Sequence, residues 1–239
     1  FFFKKLFFIF FKLKFLKNNT NNTFVDLNFK KLDFTNEKQI KMFIFKKEFY
    51  KLQNRYVQSF DFLSYSKNLG GKIGINLSKN TIFDWYYVNK NKLSYPWSED
   101  LSSKRFINII YNYEFINSSS SDNESKLLNK IIMIHIYRVI DEFNNKKISE
   151  ITSYDILAYT LSSFILKKIN SKLINYIDII ITNQIDSLGM HKSYNILEHA
   201  KYINNLNELK NIFLYFNYKV SKKILETTTK MSSILIQYF

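Results

Sequence analysis

From about residue 59 onward, apolar residues recur at helical spacing, broken by short polar runs. Phe106, Ile109, Ile110 and Tyr113 stand at i, i+3, i+4 and i+7, which places them on one stripe of a helix. Leu128, Ile131, Ile132, His135, Val139 and Phe143 repeat the pattern in a second helix, after the serine-rich loop 117–123. Ser59-Phe60-Asp61-Phe62-Leu63 supplies a cap followed by helical spacing, Gly70-Gly71 a stop, and a further helix is predicted over 73–88. Pro96-Trp97 precedes Ser98-Glu99-Asp100, a capping hydroxyl and two acids suited to the positive end of a helix. Thr152-Ser153 caps a helix through Ile156, Leu157, Leu161, Phe164 and Ile165, and Ser171 caps another through Leu173, Ile174, Ile177 and Ile181. The runs 196–216 and 220–236 read as two or three more helices, with a break near Asn217.

Successive helices of roughly 15 residues joined by short polar loops predict an all-α fold of antiparallel helix pairs. Periodicity alone leaves bundle, solenoid and toroid open, and no fixed-length repeat stands out. Residues 1–56 lack a strong period and are expected to form an irregular or partly extended N-terminal segment, with the helical domain over 57–239. The opening 17 residues are aromatic-rich but cut by Lys4, Lys5, Lys12, Lys14 and Lys17, and the longest uncharged run, 6–11, is too short to span a bilayer. No transmembrane segment is expected. Because the chain starts at Phe1 and not Met, it reads as a fragment or a processed product.

Hydrophobic residues make up 46% of 239, ample for a sizeable core, and a single Pro with four Gly favours long helices over a sandwich of turns. The net charge of +15 comes almost wholly from Lys, since Arg occurs only at Arg55, Arg105 and Arg138. Ala is confined to Ala158 and Ala200 while Lys, Asn and Ile abound, so the codon bias of an AT-rich genome accounts for much of that charge. The excess still attracts polyanions: nucleic acid, anionic lipid or acidic polysaccharide. Without Cys there is no disulfide or thiolate chemistry, and the three scattered His give no zinc spacing. Neither a metal nor a cofactor is expected. The oligomeric state is not encoded legibly, and the bacterial periplasm and cytoplasm both stay open as compartments.

One stretch gathers chemistry between two helix-patterned segments: Leu188-Gly189-Met190-His191-Lys192-Ser193-Tyr194-Asn195. It resembles the loop Asp-Gly-Gly-His-x-Ser-Arg-Asn-Pro in the helical domain of the heparinase II/III family of polysaccharide lyases. Two earlier segments are similar to that family in the same order. The first is Ser59-Phe60-Asp61-Phe62-Leu63 through Gly70-Gly71, like its aromatic-Asp-aromatic-Leu entry helix; the second is Trp85, Tyr95-Pro96-Trp97 and Lys104-Arg105-Phe106-Ile107-Asn108, like its Pro-Trp turn and Arg-containing helix. The resemblance runs from about Val57 to the end.

It implies an incomplete α/α toroid, followed in the family by a β-sandwich that completes the site and that this chain does not include. The implied reaction is β-elimination at a uronic acid of an acidic polysaccharide. Asn or His donors neutralise the carboxylate beside the reacting carbon, while a Tyr or His moves the protons. Carried over by position, His191 and Asn195 are the expected catalytic pair, with Ser193 and Gly189 matching the loop's Ser and one Gly; Lys192 for its positive potential, Tyr194, Trp97 as a stacking platform and Arg105 are expected to bind substrate. Leu188, Met190, Tyr194 and Ile196 replace the family's Asp, Gly, Arg and Pro, and Met190 is strained if its position needs positive φ. His135 is expected in the core, and His199, one turn past Asn195, either stands behind the loop or is exposed. The rival readings are a non-catalytic basic helical module binding nucleic acid, the less favoured polyanion, or an anionic surface, and a lyase paralogue that keeps the fold without the activity.

Overall fold

The computed structural model describes residues 55–91, 95–97 and 99–237, so the expectation of an irregular segment over most of 1–56 and the cap at Ser98 lie outside the described residues. Those residues are mainly helical and contain no strand, only an isolated antiparallel bridge between Ile185 and His191. The chain divides into two compact units, one ending at Ile134 and the other beginning at His135.

The first unit holds α1 (Arg55–Gln58), α2 (Phe62–Leu69), α3 (Gly71–Asn89), a 3-10 turn (Tyr95–Trp97), α4 (Glu99–Tyr111), α5 (Tyr113–Asn117) and the opening turns of α6 (Asp122–Asn145). The expected helix start at Ser59 moves three residues on. Phe60 adopts φ +63, and Ser59 and Asp61 tie the turn together, Ser59 Oγ donating to Asp61 Oδ2 at 2.6 Å. Asn108 Nδ2 then donates to Asp61 Oδ1 at 2.8 Å, so Asp61 links the turn to α4 and makes no side-chain cap to α2. Gly70 ends α2 as expected, at φ +65. Four residues later a Cβ on Gly74 would lie 2.1 Å from the Ser66 carbonyl oxygen, so only a glycine lets α2 and α3 approach this closely. Phe106, Ile109 and Ile110 of α4 are buried as their spacing requires, as are Leu128, Ile131 and Ile132 of α6; Tyr113, expected on the same stripe as the first three, is buried at the start of α5, past a break at Asn112.

The centre of this unit is an arginine enclosed by aromatic rings. The Arg105 guanidinium lies 3.9 Å from the Trp85 ring centre, 5.2 Å from that of Trp97 and 5.4 Å from that of Phe60. Its Nε donates to the Gln58 carbonyl at 2.7 Å and a terminal nitrogen donates to the Pro96 carbonyl. Trp85 Nε1 donates to Gln58 Oε1 at 2.7 Å and Trp97 Nε1 to the Asn89 carbonyl at 2.7 Å. Burial of this cation is sustained by ring faces and carbonyl dipoles, each desolvated cation–π contact being worth roughly 2 kcal/mol.

The second unit holds the rest of α6, a 3-10 turn (Ile148–Glu150), α7 (Ser153–Ile165), α8 (Ser171–Gln184), α9 (Ile196–Tyr215) and α10 (Lys222–Gln237). Helix α9 packs on α7 and α10, and α10 also on α8. Thr152 caps α7 as expected, its Oγ1 accepting from the Asp155 N–H at 3.2 Å while Asp155 Oδ2 accepts from the Thr152 N–H at 2.9 Å and from buried Lys146 Nζ at 2.8 Å. The cap of α8 is Asn170 and not Ser171, because the Asn170 amide oxygen reaches the Leu173 N–H at 2.9 Å. In a chain poor in glycine, α7 and α9 end through Lys167 and Asn217, both at φ +56. Each is followed by an N–H that donates back five residues, from Lys168 to Ser163 at 2.8 Å and from Tyr218 to Phe213 at 2.9 Å. Val139, Phe143 and His135 are buried on the face their spacing gave.

Candidate functional site

The loop between α8 and α9 is a small closed structure built around Asp186. One carboxylate oxygen, Oδ1, accepts from the backbone N–H groups of Leu188, Gly189 and Met190 at 3.0, 2.9 and 2.8 Å. The Asp186 N–H donates to the Met190 carbonyl at 2.9 Å and the Lys192 N–H to the Gln184 carbonyl at 2.9 Å, which closes the strand-like pairing of Ile185 with His191. The acid expected at 188 is therefore supplied two residues earlier. The strain expected at Met190 does not arise, since it is Gly189 that takes the left-handed conformation, at φ +99. Gly189 is constrained a second way: a Cβ there would meet Lys230 Cβ at 3.1 Å and Ile234 Cδ1 at 3.4 Å, both on α10. The loop backbone thus rests directly on α10.

His191, the first expected catalytic residue, is half-buried, its ring centre 5.0 Å from that of Tyr202 on α9. The Ser193 N–H approaches His191 Nδ1 at 3.2 Å, and since a backbone N–H can only donate, Nδ1 is the acceptor nitrogen and the ring proton of the neutral imidazole sits on Nε2. Ser193 Oγ lies 2.8 Å from the same Nδ1 and accepts from the Asn195 N–H at 3.3 Å. Ser193 therefore couples the two expected catalytic residues. Nε2 has no partner among the described residues. Burial, more than any charge, holds the His191 imidazole below its usual value; Glu198 acts upward and His199 downward.

Asn195, the second of the pair, is exposed and caps α9. Its side-chain oxygen accepts from the Leu197 and Glu198 N–H groups at 2.9 and 3.3 Å, while its Nδ2 has no partner among the described residues. Both residues thus commit their acceptors to the fold and keep donors toward solvent. Lys192 is exposed, and Tyr194 is 71% exposed at φ +50, its N–H donating to the His191 carbonyl at 2.8 Å. Neither side chain has a polar partner among the described residues.

Trp97 and Arg105 are placed otherwise. Both were expected to bind substrate, but both are buried in the first unit, with Trp97 Nε1 and the Arg105 guanidinium directed to backbone carbonyls. Their spacing in the sequence serves the core, because a Pro-Trp turn followed by an Arg-bearing helix brings ring faces onto the guanidinium.

Two contributors, Asp186 and Lys230, were not read from the sequence, and a third, His199, was expected either behind the loop or exposed. Asp186 carried a usable signal, the Asp-x-x-Gly spacing of a side-chain-closed turn. His199 is fully buried, accepting the His191 N–H at Nδ1 (3.2 Å) and donating from Nε2 to the Met231 carbonyl (2.9 Å). Lys230, exposed and without an acidic partner among the described residues, packs its Cβ and backbone close to Gly189, a contact that nothing in the local sequence announces. The nearby acids are engaged: Asp186 by three N–H groups and Glu198 by Lys201 Nζ at 2.7 Å. Tyr202 is buried, its hydroxyl unpartnered among the described residues, and burial pushes that phenol far above its usual value, so it serves as packing under His191 and not as a proton carrier.

Among the described residues no group of three His, Asp or Glu side chains is arranged to hold a metal ion, and no helix is long and apolar enough to cross a membrane. Compared with protein-family models, with curated proteins and with solved structures, the chain matches none.

Proposed function

We propose that the loop 185–195 binds the carboxylate of an acidic polysaccharide, and that this chain is the helical, substrate-binding portion of a heparinase II/III-like lyase that cleaves uronic-acid polymers by β-elimination. On this reading the paired helices are layers of an incomplete α/α toroid. The observation that carries the proposal is the polarity of the loop: His191 Nε2–H and Asn195 Nδ2 are donors without partners among the described residues, and neighbouring Lys192 has no acidic partner among them. A surface of donors and cations suits an anion. In β-elimination the C5 proton passes to a base supplied from outside this loop, the electron pair forms the C4=C5 double bond, and the C4–O bond breaks as the leaving sugar's oxygen takes up a proton. Donors aimed at the carboxylate stabilise the negative charge that builds there as the proton departs. With its proton on Nε2 and its lone pair held by Ser193, His191 acts as a donor to that carboxylate and not as the base.

The test is titration of the 239-residue chain and of His191→Ala with polygalacturonate, heparin and double-stranded DNA at matched salt. The lyase reading expects polyuronate binding that weakens by about ten- to a hundredfold in His191→Ala, one charge-assisted hydrogen bond being worth about 1.5–3 kcal/mol. Binding that prefers DNA, falls steeply with salt and ignores His191→Ala overturns it and favours a basic helical module.

A further inference from the structure

His199 is fully buried behind this loop, with both ring nitrogens engaged, and takes no part in the proposed contact with substrate. It lies in the first turn of α9, fully buried, where its own N–H donates to the Asn195 carbonyl at 2.9 Å. The two ring nitrogens face different elements. Nδ1 accepts from the backbone N–H of His191, eight residues back, and Nε2 donates to the carbonyl of Met231 on α10, 32 residues ahead. Because the His191 N–H can only donate, the tautomer is fixed, with the proton on Nε2 facing the carbonyl. One ring therefore joins loop, α9 and α10.

The consequence falls on His191. Its carbonyl accepts from Tyr194, its side chain from Ser193, and its N–H has His199 as partner. Take away that last bond and a backbone N–H is left without its buried partner while the loop loses a tether to α10; Gly189 against Lys230 remains as packing alone. We propose that His199 is a positioning residue: it clasps the His191 backbone to Met231 and thereby sets where the His191 imidazole stands. The functional meaning of that placement rests on the reading of His191 as a ligand-facing donor, while the clasp itself is testable without any ligand.

Two amides separate the halves of the clasp. Asn puts its side-chain oxygen near the place of Nδ1, so His199→Asn keeps an acceptor for the His191 N–H and loses the reach to Met231. Gln puts its side-chain nitrogen near the place of Nε2, so His199→Gln keeps the bond to Met231 and loses the acceptor. His199→Leu removes both. The experiment is backbone amide exchange of His191 by NMR in the full chain, with the ring nitrogen shifts of His191 recorded alongside. His191 exchange is expected to quicken by roughly tenfold in His199→Gln, about the worth of one hydrogen bond, and to stay near wild type in His199→Asn, with the Nε2–H tautomer of His191 kept in Asn and blurred in Gln. Equal protection in Asn and Gln, or quickening in Asn as large as in Gln, overturns the proposal; if the Leu variant fails to fold, the two amides still decide. A parallel titration with tetragalacturonate separates this from the functional reading. The amide pattern without any wild-type binding keeps the clasp and sinks the uronate site, whereas wild-type binding with no Asn–Gln difference does the reverse.

Discussion

Arg105 and His191 are both nitrogen-rich side chains set against aromatic rings, and they use their nitrogens in opposite ways. The Arg105 guanidinium is buried among Trp85, Trp97 and Phe60 and donates to the Gln58 and Pro96 carbonyls, so its charge works for the fold of the first unit. The His191 imidazole gives one nitrogen to Ser193 and leaves the other without a partner among the described residues. What distinguishes a structural cation from a candidate ligand contact here is the direction of the remaining donors, not residue type. A substitution at Arg105 should therefore act on stability, and one in the loop on binding.

The largest expected effect is at Arg105. Arg105→Ala removes a fully buried side chain and leaves two carbonyls without their donor, which should cost about 3–5 kcal/mol. Arg105→Lys should recover little of it, because a compact ammonium neither stacks on Trp85 nor reaches both carbonyls with the geometry of a planar fork. Chemical denaturation measures this. A variant that unfolds at the wild-type midpoint would move Arg105 out of the core and back among the surface contacts.

The next effect divides one residue into its two halves. Asn195 caps α9 through its oxygen and presents its nitrogen outward. Asn195→Asp keeps an oxygen for the cap and places a negative charge at the helix start, so stability should hold to within about 0.5 kcal/mol. The same change turns the donor into an anion and should abolish binding of an acidic sugar. Asn195→Ala should cost about 1 kcal/mol of stability through loss of the cap. If Asn195→Asp binds polygalacturonate as tightly as wild type, the outward amide has no part in recognition and the contrast with Arg105 narrows to His191.

The same contrast explains what the sequence could and could not disclose. Helix periodicity located the longer helices, because burial of a stripe such as Leu128, Ile131 and Ile132 is written in spacing alone, but it ran Phe106 to Tyr113 together where the chain breaks at Asn112. Thr152 was readable as a cap from its local pattern, whereas Ser171 and Asn170 both fit and only geometry chose Asn170. Trp97 and Arg105 looked like binding residues because the residue types that grip a sugar also pack a buried cation. Exposure decides between them, and exposure depends on partners as distant as Gln58. Around the loop, His191 and Asn195 were legible and His199 was narrowed to two placements, but its bond to Met231 and the packing of Lys230 on Gly189 come from the approach of α10, and no local spacing encodes a contact made 32 residues away.

The smallest expected effect is the dependence on pH, which falls on the loop alone and takes opposite signs in stability and in binding. Burial first, with Glu198 opposing and His199 adding, holds the His191 imidazole below its usual value, so the folded chain takes up this proton at lower pH than the unfolded chain. A depressed value in the folded state means that the contribution of neutral His191 is fully present above about pH 6.5 and is lost as pH falls through the folded value. Wild type should therefore lose slightly more stability than His191→Gln between about pH 7 and pH 5, by an amount that water around the half-buried ring keeps small. Binding should move the other way, since protonation adds a positive charge to a loop that already holds Lys192. Arg105 keeps its charge across this range, so its core contributes no such step. Unfolding curves and polygalacturonate titrations on the same samples read both signs at once; parallel stability profiles for wild type and His191→Gln would show that the ring is not held neutral by its surroundings.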